Sequence, residues 1–258
     1  MKFRVLSTSV VITVLAASTA IAGCSSNDDS SPSDSSGSTT LTVLAASSLT
    51  DAFPEIGDAF SATHDGVDVQ FSFAGSQELV AQADTGAPAD VLALAGSSSL
   101  DALNLPVSDT LDFAKNRLTI IVPQGNPAGV KSIDDLGNPD VKVAVAGPEV
   151  PAGAYALEAF KKAGITVDPV SEETEVKAVV TRVAVGGADA GVVYVTDAMA
   201  SDADIEEVPI PAALNVIATY PAVSLTDSEN ADVAHEFVQY LVSDDAQQIL
   251  SDYGFESP

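Results

Sequence analysis

The chain has 258 residues and a formal charge of -27, from 37 acidic and only ten basic side chains. This charge excludes a nucleic-acid-binding protein, because contacts to phosphate backbones depend on lysine and arginine. Its two histidines lie near no nucleophile motif, and Phe73-Ala-Gly-Ser-Gln77 is not the Gly-x-Ser-x-Gly turn of hydrolases. We therefore expect a protein that is not an enzyme.

The amino terminus has the pattern of a lipoprotein signal. Lys2 and Arg4 precede an apolar run over 10–22, which ends in Gly23-Cys24. Such a segment is too short to be a membrane-spanning helix and is typical of a secretory signal. Cys24 is the only cysteine. We predict a signal peptide over 1–23 and lipidation of Cys24, which would anchor the protein to the extracytoplasmic face of the cell membrane; the alternative for Cys24 is a buried thiol.

The segment that follows cannot fold by itself. Residues 25–40 are serine, aspartate, asparagine, proline, glycine and threonine, with no apolar side chain. A segment of this composition buries too little surface to offset the entropy of ordering it. We predict a disordered, serine-rich tether over 24–40 and a folded part that begins near residue 41.

The rest of the chain alternates between predicted strands and helices. Apolar runs predict strands over 41–45, 67–73, 91–95, 118–122, 141–146 and 191–195, with extended segments over 215–218 and 222–225. Helical spacing predicts helices after Ser48, over 79–86, 151–164, 176–186 and 230–250, with Pro54 delaying or kinking the first. This order indicates an α/β fold with mostly parallel sheets, in which ligands bind beyond the carboxyl ends of strands.

Four short motifs lie at such strand ends. Three place small or hydroxyl residues where a helix begins, and the fourth ends a strand with a tyrosine: Ala46-Ser-Ser-Leu49, Phe73-Ala-Gly-Ser76, Val150-Pro-Ala-Gly153 and Gly191-Val-Val-Tyr194. Helix N-termini bind small oxyanions through their free N–H groups. No lysine or arginine lies between Arg4 and Lys115. The motifs therefore predict an anion site built from neutral dipoles.

Five segments in this order resemble the molybdate-binding protein family of bacterial ABC transporters. They are Leu44-Ala-Ala-Ser-Ser-Leu-Thr-Asp51, Phe71-Ser-Phe-Ala-Gly-Ser76, Thr85-Gly-Ala-Pro-Ala-Asp-Val91, Gly147-Pro-Glu-Val-Pro-Ala-Gly153 and Ala190-Gly-Val-Val-Tyr194. With the closing Tyr253-Gly-Phe255, the resemblance spans most of 41–255. It implies a two-lobed, type II periplasmic-binding-protein fold, in which each lobe is a mostly parallel sheet flanked by helices and the oxyanion lies between the lobes.

The resemblance also implies the ligand contacts. The matching positions are the hydroxyls of Ser48, Ser76 and Tyr194 and the backbone N–H groups of Ala152 and Val176. Other interpretations stay open at this point. The two serines could be helix N-caps, with Ser47 sharing or taking the ligand role of Ser48. Ala152 and Val176 could be only core residues, and Tyr194 could be a buried tyrosine bonded to backbone.

The expected function follows from the resemblance. Lobe I would comprise 41–119 and 218–258, and lobe II 120–217. The protein would capture molybdate, and also tungstate, and deliver it to a membrane permease as a monomer without a cofactor, molybdenum being present only in the bound oxyanion. The alternatives are a binding protein for sulfate, phosphate or a metal ion, and a purely structural surface lipoprotein.

Overall fold

The computed structural model describes residues 38–258. The predicted signal peptide over 1–23, the lipidation of Cys24 and most of the tether over 24–40 lie outside the described residues. Among the helices of the described part, none has both the length and the apolar character needed to cross a membrane.

Strands and helices alternate through most of the chain. The strands are β1 Thr39–Ala46, β2 Val67–Ala74, β3 Val91–Ala93, β4 Leu111–Pro123, β5 Val143–Ala146, β6 Ser171–Glu173, β7 Ala190–Tyr194, β8 Ile205–Pro209 and β9 Ile217–Ser224. The helices are α1 Phe53–Thr63, α2 Ser76–Asp84, α3 Ser97–Leu100, α4 Pro151–Ala163, α5 Val176–Ala184, α6 Val195–Met199, α7 Ala231–Tyr240 and α8 Asp244–Asp252. Single 3-10 turns form at Ser47–Leu49 and Ile133–Gly137.

The strands form a mixed sheet with the order β2-β1-β3-β9-β4-β7-β5-β6, and β8 pairs with β4. The predicted parallel pairs form on both flanks, between β1 and its neighbours β2 and β3 and between β5 and its neighbours β6 and β7. The central strands differ from the expectation of mostly parallel sheets, because β4 and β9 run antiparallel to every strand they pair with.

The long strand β4 connects the two flanks. Its first part, Leu111–Arg117, pairs with β9, and its second part pairs with β7 and β8 from Leu118 onward. The sequence pattern predicted only the second part of this strand. Strand β4 therefore changes its pairing partner between Arg117 and Leu118. This position is close to residue 119, the predicted end of the first segment of lobe I. The lobe boundaries themselves stay a prediction.

Local sequence signals explain where several helices begin and end. Pro54 is the second residue of α1, where its missing N–H costs no helical bond. The helix is thus delayed past the 3-10 turn, as the sequence predicted. Helix α4 ends at Gly164, whose φ of 71° is left-handed, a conformation that favours glycine. Two extended segments predicted near 215–225 form the single strand β9.

Helix faces bury apolar side chains against the sheet. Helix α5 buries Val176, Val179, Val180 and Val183, which is the face predicted from their spacing. On the other flank, Phe53 of α1 lies with its ring centroid 5.7 Å from that of Phe113 on β4 and 6.4 Å from that of Phe237 on α7. Both flanks thus bury apolar side chains between their helices and strands.

One buried carboxylate joins β1, β3 and the segment before α7. Asp90 is 8% exposed. Its Oδ2 accepts a hydrogen bond of 2.6 Å from the Thr42 backbone N–H, and its other oxygen accepts from the Ser228 hydroxyl. The backbone of Asp90 also pairs with Thr42 and Leu225. This residue therefore fixes the start of β3 against its neighbours.

We predict that Asp90→Ala lowers the free energy of unfolding by about 1–3 kcal/mol, because the Thr42 N–H then lacks an acceptor. Asp90→Asn keeps one acceptor oxygen, so its loss is expected to be smaller. The exposed Asp58→Ala on α1 is the control. Urea denaturation measures all three, and a loss for Asp90→Ala no larger than that for Asp58→Ala would contradict the prediction.

Candidate functional site

The structure brings all five sequence-predicted site residues to one cavity. This cavity is lined by residues from both flanks of the sheet: Ala46, Ser47, Ser48, Ala74, Gly75, Ser76, Ala95, Val150, Pro151, Ala152, Val176 and Tyr194. Every predicted strand-end motif contributes at least one of them. The lining residues, all within the described range 38–258, include no charged side chain.

The cavity is small. Its volume of about 10 Å³ is close to the roughly 10–15 Å³ that a single water molecule requires. The two flanks therefore meet closely around it, and a ligand held here is contacted from both.

Ser48 lies in the 3-10 turn that follows β1 and is 4% exposed. Its hydroxyl oxygen is 2.9 Å from the hydroxyl oxygen of Tyr220 on β9. The residue at the N-cap of this turn is Ala46, and no side chain caps it. Capping as the role of Ser48 is therefore wrong. Ser47 also lines the cavity, so a contact from Ser47 to the ligand stays open.

Ser76 is the first residue of α2. The N-cap of this helix is Gly75, and no side chain caps it. Capping is therefore wrong for this serine too. The Ser76 oxygen instead accepts a hydrogen bond of 2.9 Å from the backbone N–H of Ala95. An N–H group only donates, so the Ser76 hydroxyl hydrogen is not used in this bond and can be donated elsewhere.

Helix N-termini supply the backbone groups from the other flank. Ala152 is the second residue of α4, and Val176 is the first residue of α5. N–H groups at these positions have no acceptor within their own helix. The side chains of both residues are buried in the core, as expected if only their N–H groups meet a ligand.

A close backbone approach positions the start of α4. A Cβ atom on Gly153 would lie 2.1 Å from the Gly147 carbonyl oxygen and 2.2 Å from that of Ala146. Only glycine allows the first turn of α4 to pack so closely against the end of β5. The N–H groups of this turn are thereby held at the edge of the sheet.

Tyr194 ends β7, and its side chain is 1% exposed. Its hydroxyl has no hydrogen-bond partner within the described residues, so the interpretation of a tyrosine bonded to backbone is wrong. Burial, reinforced by the neighbouring Tyr220, raises the pKa of the Tyr194 phenol well above its ordinary value. The phenol therefore keeps its proton and is a hydrogen-bond donor at the cavity wall.

Two contacts join the flanks beside the cavity. The Lys177 ammonium, next to Val176, pairs with the Asp51 carboxylate. The Gln77 side-chain amide donates a hydrogen bond of 3.1 Å to the Thr174 carbonyl. A cation thus does lie near the site, which the scarcity of basic residues in the first half did not predict, but it is partnered by Asp51 and does not line the cavity.

A second ionisable group lies behind Tyr194. Asp197 is 2% exposed, and its Oδ2 accepts a hydrogen bond of 3.2 Å from the Tyr194 backbone N–H. Its Oδ1 has no partner within the described residues. Burial raises the pKa of Asp197 to about 7, although the nearby Lys177 acts in the opposite direction.

Sequence reasoning missed Tyr220 and Asp197. Tyr220 reaches Ser48 only through the sheet pairing of β9, 172 positions along the chain. Asp197 lies three residues after Tyr194, at the start of α6, and the sequence analysis did not consider this pair. The available signal was a tyrosine within an otherwise apolar strand, since a buried phenol usually finds a hydrogen-bond partner. Among residues 38–258, no group of three or more histidine, cysteine, aspartate or glutamate side chains could hold a metal ion.

Comparison with known proteins agrees with this geometry. The chain is 36% identical to the molybdate-binding protein ModA of Mycobacterium tuberculosis over 261 residues, covering 100% of both chains. It is 32% identical to YvgL of Bacillus subtilis, a putative ABC transporter substrate-binding lipoprotein, over 96% of this chain and 97% of the relative. The periplasmic molybdate-binding protein of Azotobacter vinelandii has the same fold, with a TM-score of 0.73 at 20% identity, covering 84% and 99% of the two chains.

These matches confirm the resemblance and the α/β, periplasmic-binding-protein fold inferred from the sequence. The model of bacterial extracellular solute-binding proteins matches residues 41–256, which is nearly the whole described part. The chain belongs to the bacterial extracellular solute-binding protein family.

Proposed function

We propose that this protein is the substrate-binding lipoprotein of an ABC transporter, which captures molybdate, and also tungstate, and delivers it to a membrane permease. The observation that carries the proposal is the convergence of five donor groups from two flanks of the sheet on one uncharged cavity. The 36% identity to a molybdate-binding protein over the full chain supports the choice of ligand. The protein needs neither catalysis nor a cofactor for this role.

The chemistry of the wall suits an anion without a proton. Molybdate accepts hydrogen bonds and donates none. Ser48, Ser76 and Tyr194 offer hydroxyl hydrogens, and the first turns of α4 and α5 offer N–H groups. Each hydrogen bond to a charged group contributes about 1.5–3 kcal/mol, and each helix N-terminus adds a partial charge of roughly +0.5.

Phosphate fits this wall less well. At neutral pH much of it carries a proton, which requires an acceptor such as a carboxylate. No carboxylate lines the cavity among the described residues, and Asp51 is engaged by Lys177. Sulfate has the charge and shape of molybdate, so it is the second candidate ligand, and only the size of the cavity separates the two.

Closure of two lobes would couple binding to transport. In the predicted division, 41–119 and 218–258 carry Ser48 and Ser76, and 120–217 carry Ala152, Val176 and Tyr194. A ligand that touches both segments stabilises the form in which they meet. The ion pair of Lys177 with Asp51 joins the same two segments. We propose that this closed form docks on the permease as a monomer anchored through Cys24.

Calorimetric titration of the purified protein tests the function. We expect tight binding of molybdate and tungstate, micromolar or better, which corresponds to about -8 kcal/mol. Sulfate, whose bonds are shorter than those of molybdate, is expected to bind much more weakly than molybdate. Sulfate binding equal to or stronger than molybdate binding would refute the assignment.

The double variant Ser48→Ala with Ser76→Ala tests the site itself. Removing two donors is expected to abolish measurable molybdate binding while the cooperative unfolding transition is retained. The matched control is Ser98→Ala with Ser251→Ala, since both of these serines are exposed. Unchanged affinity in the first double variant would show that the ligand binds elsewhere.

Tyr194→Phe separates a ligand contact from a structural one. The hydroxyl has no partner among residues 38–258, so its removal is expected to leave the free energy of unfolding unchanged or raised. The same change is expected to weaken molybdate binding by about 10-fold or more, the equivalent of one hydrogen bond to a charged group. Calorimetry and urea denaturation measure the two effects. Tyr240→Phe is the control, and a stability loss without an affinity loss would contradict the prediction.

The pH dependence of binding reports on Asp197. Burial raises its pKa from 3.8 to about 7, and Lys177, Asp51 and Glu175 are the charged groups around it. Below that pH the carboxyl is neutral; above it the added negative charge opposes a dianion beside Tyr194. We expect molybdate affinity to fall several-fold between about pH 6 and about pH 8, the range within one unit of this pKa.

The variant Asp197→Asn stays neutral and is expected to show a flat affinity profile over the same range. The free energy of unfolding of the wild-type protein is also expected to fall as the pH rises from 3.8 to about 7. In this range the Asp197 carboxyl keeps a proton in the folded protein that the unfolded chain has lost. A wild-type molybdate affinity that rises between about pH 6 and about pH 8 would contradict the prediction.

A further inference from the structure

Three buried polar side chains form a line from the middle of the sheet to the cavity. Asn116 on β4, Tyr220 on β9 and Ser48 are each less than 5% exposed, at 1%, 0% and 4%. The Asn116 side-chain nitrogen lies 3.4 Å from the Tyr220 hydroxyl oxygen, and that oxygen lies 2.9 Å from the Ser48 hydroxyl oxygen. Neither Asn116 nor Tyr220 lines the cavity, so the line ends at Ser48.

The orientation of the Asn116 amide is set by its other contacts. Its Oδ1 accepts a hydrogen bond of 2.9 Å from the Arg117 backbone N–H. Its Nδ2 therefore faces the opposite side, where it donates to the Thr196 hydroxyl at 2.8 Å and to Tyr220. An amide nitrogen has no lone pair to accept with, so the Tyr220 hydroxyl cannot donate to Asn116.

The direction of the next bond follows from this. The hydroxyl hydrogen of Tyr220 has one acceptor among its described contacts, the oxygen of Ser48. If Ser48 donated to Tyr220 instead, a fully buried phenol hydrogen would have no acceptor, which is costly in a protein interior. Burial also raises the pKa of the Tyr220 phenol above its ordinary value, so the hydrogen is present at any physiological pH.

The two serines of the cavity are then held in the same way. The Ser48 oxygen accepts from Tyr220, as the Ser76 oxygen accepts from the Ala95 N–H. Each serine keeps its single hydrogen for a ligand. The donor to the Ser76 oxygen is a backbone N–H, whereas the donor to the Ser48 oxygen is the side chain of Tyr220. The hydrogen bond to Ser48 can therefore be removed by mutation.

We propose that Tyr220, oriented by Asn116, is a positioning residue that fixes Ser48 as a hydrogen-bond donor to the bound oxyanion. The inference rests on the proposed function, because it requires an anionic ligand at Ser48. Without the Tyr220 hydroxyl, the Ser48 hydroxyl is free to rotate and to donate to other acceptors. An anion that binds must then order the Ser48 hydroxyl, so this hydroxyl contributes less to the affinity.

The variant Tyr220→Phe tests the inference, with molybdate as the probe in calorimetric titration. The ring and its packing are retained, and only the hydroxyl is removed. We expect molybdate affinity to fall by about 3- to 10-fold, the range of one hydrogen bond. Tyr253→Phe is the matched control, since the Tyr253 hydroxyl donates to the exposed Glu55, and its molybdate affinity is expected to match that of the wild type.

A double-mutant cycle distinguishes positioning of Ser48 from a general structural effect. In a Ser48→Ala background, Tyr220→Phe is expected to cause no further loss of affinity. In a Ser76→Ala background, it is expected to keep its full effect. Residues that act through one another are not additive, whereas independent effects add. An equal loss in both backgrounds, or no loss in the single variant, would overturn the inference.

A second variant covers the case in which Tyr220→Phe does not fold, as judged by its thermal unfolding transition. Asn116→Ser shortens the donor that orients Tyr220, and the same cycle against Ser48→Ala and Ser76→Ala applies to it with the same expected pattern. A wild-type protein that binds no molybdate would overturn both the proposed function and this inference. Wild-type binding with an additive cycle would overturn the positioning role alone.

Discussion

The hydrogen bond from the Ala95 N–H to the Ser76 hydroxyl oxygen illustrates the constraint on which the site depends. A wall that meets an anion must present donors, so its own acceptors have to be satisfied by the protein. For Ser76 a backbone group does this, and for Ser48 the Tyr220 hydroxyl does. The Tyr194 hydroxyl has no protein partner in the described part of the chain, and the cost of burying it is offset when it binds a ligand.

The fold places these donors by bringing strand ends together. The first turn of α4 packs backbone to backbone on the end of β5, an approach that only glycine at 153 allows. The strands β4 and β9 run antiparallel through the centre of the sheet and join the two flanks. The cavity therefore lies where segments distant in sequence meet, and its shape depends on how those flanks are held.

Charge shows why a protein with a net charge of -27 can bind a dianion. Repulsion from distant surface carboxylates is screened within about 8 Å at physiological salt, so nearby groups decide the field at the site. Among these, Asp51 is paired with Lys177, and the raised pKa of Asp197, about 7, keeps that carboxyl largely neutral in mildly acidic conditions. The local field is thereby left to oriented N–H and O–H dipoles.

The sequence by itself determined the alternation of strands and helices, the helix starts at Pro151 and Val176, and the four strand-end motifs that meet in the cavity, whereas the contact positions, Val176 among them, came from the family resemblance. These features depend on periodicity and on the local chemistry of strand ends, which neighbouring residues encode. The burial of Asp197, whose hydrogen bond to the Tyr194 N–H is itself local, was decided only by tertiary structure. So were the antiparallel course of β4 and β9 and the line from Asn116 through Tyr220 to Ser48. The members of that line lie up to 172 positions apart, and contacts at that separation are set by sheet pairing, which leaves no local pattern in the chain.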